Sequence, residues 1–91
     1  MLPNEILKRQ FLEIVNNQLK DNAPPETKQT LDRLKKEGYS DADARTLIAQ
    51  CVAAEMFNVM KHNKPYDNKR YVRNLNNLPA FPPIDGNLDK L

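Results

Sequence analysis

Leu7, Phe11, Ile14, Val15 and Leu19 recur at three- and four-residue steps, a spacing that lays them on one face of a helix. That helix is predicted to begin at Pro3 or Asn4, since proline suits a first helical position and asparagine a cap. It ends at Asp21-Asn22-Ala23-Pro24, because the residue before a proline is driven out of helical geometry. A second helix begins at Pro25, with Glu26 placed against the positive end of the dipole. Its only strong apolar positions are Leu31 and Leu34, so it is predicted to lie on the surface with a narrow stripe turned inward. Lys35 and Lys36 complement its C-terminal end, and Gly38 suits the left-handed residue that closes it.

The third segment has the strongest punctuation. Ser40 is a preferred cap and Asp43 follows at capping-box spacing, with Asp in place of the usual Glu or Gln. From Asp41 to about Lys61 there is no Gly or Pro, and Ala42, Ala44, Ala49, Ala53 and Ala54 raise intrinsic helicity. The predicted length is roughly 30 Å. Leu47, Ile48, Cys51, Val52, Met56, Val59 and Met60 cover more than half of the circumference, with Phe57 on another side, which marks a central helix. His62-Asn63-Lys64-Pro65 breaks it. Asp67 can cap a fourth, shorter helix carrying Tyr71, Val72, Leu75 and Leu78, which Pro79 stops. Beyond it, Pro79, Pro82 and Pro83 forbid a helix, and an extended tail anchored on the body by Phe81 is expected, with Ile84 and Leu88 as further apolar positions. No strand alternation and no internal repeat is present. The predicted fold class is all-α: a compact four-helix domain over residues 1–78, with a long central third helix, and a proline-rich extended C-terminal tail over 79–91.

Composition narrows the chemistry. A chain of 91 residues buries only roughly 60–65% of its unfolded surface and has an expected radius of gyration of about 12 Å. One modest core fits; a doubly wound dinucleotide fold does not. Fourteen Lys and Arg against twelve Asp and Glu leave +2, too near balance to select a partner. No run reaches the roughly 18 apolar residues of a membrane span, and no signal-peptide series is present, so the cytoplasm is the expected compartment. The single cysteine excludes an internal disulfide. The single histidine, His62, excludes a two-histidine metal site in one chain, and with Lys61 it complements a helix C-terminus. Glycines at 38 and 86 alone cannot form a phosphate loop. Asp41 and Asp43 fall in a first helical turn, where they stabilise the dipole, and Cys51 reads as a small core residue. No catalytic residue, cofactor or metal is expected.

Two polar residues interrupt the apolar faces. Glu55 projects among Cys51, Val52 and Val59, and Gln18 among Leu7, Phe11, Ile14 and Val15. Buried polar groups need hydrogen-bond partners, so the pair is predicted to form a structural polar lock, with Tyr66, Tyr71 or a basic side chain as a third member. Met56, Phe57 and Met60 are predicted to stay partly exposed and to form a protein interface, most economically in a two-fold homodimer. The expected function is therefore a non-enzymatic module acting through protein contacts, including self-association. The alternative is a nucleic-acid accessory protein: Lys61, Lys64, Lys69, Arg70 and Arg73, with Tyr66 and Tyr71, could contact phosphates and stack on bases. Against it, Tyr71 shares a face with Val72, Leu75 and Leu78 and reads as core.

The run Glu13-Ile14-Val15-Asn16-Asn17-Gln18-Leu19 is followed by Pro24-Pro25-Glu26-Thr27, by Leu34 with Gly38-Tyr39-Ser40, by Ala53-Ala54-Glu55-Met56, and by Lys64-Pro65-Tyr66-Asp67 with Arg70-Tyr71. Over residues 5–78 this series resembles a family of small bacterial helical domains of unknown function. The resemblance implies the helical layout and the retention of Gln18 and Glu55. Members of that family often carry histidines on the first and third helices, where this chain has Lys8 and Leu12, and Asp43, Thr46 and Leu47. No metal or catalytic role is carried over.

Overall fold

Helix-terminus chemistry sets the boundaries in the computed structural model of the chain, which describes residues 3–82. Four helices follow one another: α1 (Pro3–Asp21), α2 (Pro25–Lys36), α3 (Asp41–His62) and α4 (Asn68–Asn77). Asn22, at φ 51°, turns the chain out of α1, and Pro25 opens α2 behind an extended Pro24. The peptide bonds before Pro24 and Pro79 are cis. At the end of α2, the Gly38 N–H donates to the Lys35 carbonyl and the Tyr39 N–H to that of Leu34, each at 3.1 Å. This paired closure needs a left-handed residue at Gly38, whose φ is +105°.

Ser40 caps α3 as expected, its Oγ accepting from the Asp43 N–H at 3.1 Å. Asn63, at φ 52°, closes the other end. Asp67 caps α4 by accepting from the N–H groups of Lys69 at 3.0 Å and Arg70 at 3.2 Å. Across the α2–α3 turn, Asp41 accepts from Arg45 and lies 3.7 Å from the Lys35 ammonium.

α3 is the centre of the domain. Cys51, Val52, Ala53, Ala54 and Glu55 are all buried, and five consecutive residues span more than a full turn, so the middle of this helix is covered on every side. Phe11 and Val15 of α1, Leu31 and Leu34 of α2, and Tyr71 and Leu75 of α4, with Leu78 just beyond it, pack around it. The radius of gyration, 12.6 Å, matches a single small core. α2 turns a wider stripe inward than its two leucines suggest, since Thr27 and Thr30 are buried with Leu31 and Leu34.

The expected anchor of the tail is corrected. Phe81 is 73% exposed, whereas Pro82 is buried. Ile84 and Leu88 lie outside the described residues.

Candidate functional site

A carboxylate inside a helix covered on all sides demands compensation. Glu55 is 2% exposed, and α4 supplies its partners. Its Oε1 accepts from Arg70 Nε, and its Oε2 accepts from Arg70 Nη2 at 3.1 Å and from the Asp67 N–H at 3.2 Å. The guanidinium thus meets the carboxylate two nitrogens to two oxygens, the arrangement that makes such pairs strong and directional. The Asp67 N–H also belongs to the cap of α4, so Glu55 fixes both the start of that helix and its seating on α3.

Gln18 anchors a second polar centre. Its Oε1 accepts from the Tyr71 hydroxyl at 2.7 Å and from Thr27 Oγ1 at 2.8 Å, while the two hydroxyl oxygens lie 3.4 Å apart. One carbonyl oxygen therefore joins α1, α2 and α4. Gln18 and Glu55 share no hydrogen bond among the described residues. The expected single lock is two locks. The reason is α4: the consecutive residues Arg70 and Tyr71 diverge around the helix, one to Glu55 and the other to Gln18.

Three contributors were not singled out from the sequence. Thr27 counts as polar in any hydrophobic tally, yet the buried series 27, 30, 31, 34 has helical spacing. Arg33 donates through Nη2 to the Leu75 carbonyl at 3.0 Å, covering the end of α4, and through Nη1 to Glu37. Arg45 spans Asp41 and Asn16, tying α3 to α1. The Thr27–Tyr71 and Arg33–Leu75 contacts ascend in both helices, so α2 and α4 run side by side in the same sense.

Burial also silences the two most deeply placed titratable groups. It pushes the Cys51 thiol from its ordinary 9.0 up to about 12. It likewise drives the Tyr71 phenol well above 10.0. Cys51 is therefore a neutral core residue at physiological pH, without the thiolate character of a nucleophile. In the unfolded chain both groups ionise earlier, so between about pH 9 and 12 the unfolded state binds fewer protons than the folded one. Stability present below that window is lost as pH rises through it, by about 1.4 kcal/mol per pH unit for each group ionised only in the unfolded chain. Urea midpoints should fall from pH 8 to about 10.5, and less so in Tyr71→Phe; a flat series would contradict these burials.

Most of the surface candidates are exposed. Met56 is 42% and Met60 74% exposed, while Phe57 is half-buried against the core. Lys61, Lys64, Lys69 and Arg73 are exposed, but Arg70 of the same series is committed to Glu55. The Tyr66 hydroxyl donates to Asn68 Oδ1 at 2.8 Å, and its ring lies 6.0 Å from that of buried Tyr71. Burial, helped by the nearby Glu55, Glu26 and Asp67 carboxylates, raises the Tyr66 phenol above its ordinary value. A shallow groove of about 410 Å³ runs along the outer face of α4, lined by Asn68, Lys69, Val72, Arg73, Asn76 and Asn77, with Glu26 of α2 at its edge. Among the described residues no three His, Cys, Asp or Glu side chains converge to hold a metal. No helix there is long and apolar enough to cross a membrane. No protein-family model, curated protein or solved structure matches this chain.

Proposed function

We propose that this domain is a non-enzymatic helical module that works through protein contacts, with Met56, Phe57 and Met60 forming a self-association surface in a cytoplasmic setting. The observation that carries this reading is the exposure of Met56 and Met60 on a helix whose middle is wholly buried. The core is already complete in one copy, so these methionines are surplus to folding. Methionine is adaptable at contact surfaces because its unbranched thioether fits irregular partners. The polar side chains between helices support the same reading from the other side, since Glu55, Gln18 and Arg33 are engaged in joining helices. The resemblance of residues 5–78 to small bacterial helical domains is consistent with such a module.

Size-exclusion chromatography with light scattering at tens of micromolar should give the mass of a dimer. Met56→Glu with Met60→Glu should return it to a monomer that still unfolds cooperatively, since both side chains face solvent in one copy. A monomeric parent chain under those conditions removes self-association from the proposal.

A further inference from the structure

The outer face of α4 carries features that neither the core nor the α3 surface uses. Asn68, Asn76 and Asn77 all line its groove. Asn68 and Asn77 are the terminal residues of α4, but Asn76 is a weak helix former at an exposed position that Ala, Glu, Lys or Arg would fill better. Lys69 and Arg73 stand one turn apart on the same face, where like charges repel. Among the described residues neither makes an ion pair. By contrast Arg33, Arg45 and Arg70 each hold a carboxylate. Such local departures from helix-stabilising sequence are expected where a surface serves recognition.

We infer that this groove binds an extended acidic peptide segment of a partner protein. Lys69 and Arg73 are about 5–6 Å apart at their Cβ atoms, close to the roughly 7 Å between alternate side chains of an extended strand. Two carboxylates at alternate positions can therefore meet the two cations. The carboxamides of Asn76 and Asn77 both donate and accept, which suits the N–H and C=O groups of a peptide backbone. Val72 supplies an apolar floor between them. Glu26 at the edge can accept from a peptide N–H of the bound segment. No aromatic ring lines the groove to stack a base.

The test uses the full chain and a fluorescent eight-residue peptide of alternating glutamate and threonine. Fluorescence polarisation should show saturable binding below about 1 mM at low salt, lost when glutamine replaces glutamate in the peptide. Lys69→Gln with Arg73→Gln should weaken it roughly tenfold, the worth of two exposed ion pairs. Lys28→Gln with Lys36→Gln, the same charge change outside the groove, should leave it unchanged. Both double variants should stay folded and melt close to the parent, because all four side chains are exposed. Met56→Glu should not affect it, which separates this surface from the one on α3. The inference is overturned by absent binding, by equal binding of the glutamine peptide, or by equal loss in the two double variants. Tighter binding of a twelve-residue oligothymidylate through Lys69 and Arg73 would overturn it in favour of nucleic acid.

Discussion

Arg70→Ala is expected to destabilise the domain by about 3–5 kcal/mol, the cost of leaving a buried charge without its partner. The orphan in that variant is the Glu55 carboxylate, 2% exposed and held inside α3. The reverse change is expected to be milder. In Glu55→Ala the unpaired group is the Arg70 guanidinium, whose side chain is 30% exposed and can turn to water. The loss there should be about 2–4 kcal/mol, from the cavity and from the Asp67 N–H left without its acceptor. Glu55→Gln keeps the shape and one acceptor and should cost less than either. Urea denaturation of the three variants gives the order directly. If Glu55→Ala proves worse than Arg70→Ala, the carboxylate is not the group that needs protection.

The second large effect belongs to Gln18. Gln18→Ala removes the one oxygen that accepts from both Tyr71 and Thr27, and should cost about 2–3 kcal/mol for two hydrogen bonds in a largely buried setting. The remaining hydroxyls, 3.4 Å apart, can pair with each other, which holds the loss below that of Arg70→Ala. Tyr71→Phe removes only one of the two bonds and should cost about 1 kcal/mol. In a double-mutant cycle the two changes should fall short of additivity, because they share a bond. Full additivity in thermal or urea unfolding would show that Gln18 and Tyr71 act independently.

What the sequence made legible follows from the range of the forces involved. Caps, breaks and helix faces are local: Ser40, Gly38 and Asp67 act on backbone within a few residues, and each does what its residue type favours. The burial of Glu55 was readable for the same reason, since it depends on its own helix's face. Its partner was not. Helical projection gives the direction of a side chain without saying which helix stands opposite, so Gln18 and Glu55 could be drawn together although Arg70 and Tyr71 take them apart. Arg70 was misleading in a second way. It sits in a basic run that reads as a set of possible phosphate contacts, yet its guanidinium turns inward to Glu55. Thr27 was hidden by counting apolar residues alone, since a hydroxyl with two polar neighbours can occupy a buried stripe at little cost.

The buried length of α3 is built from small side chains. Ala44, Ala49, Cys51, Ala53 and Ala54 account for most of its buried positions, which leaves little room for any larger residue while the neighbouring helices stay close. A turn further along, Met56 and Met60 face solvent. One helix therefore holds both tightly constrained and freely exposed positions. Drift in sequence can alter the outward methionines without disturbing the alanine-lined interior. Packing constraint and surface composition are in this way separated along the axis of a single element.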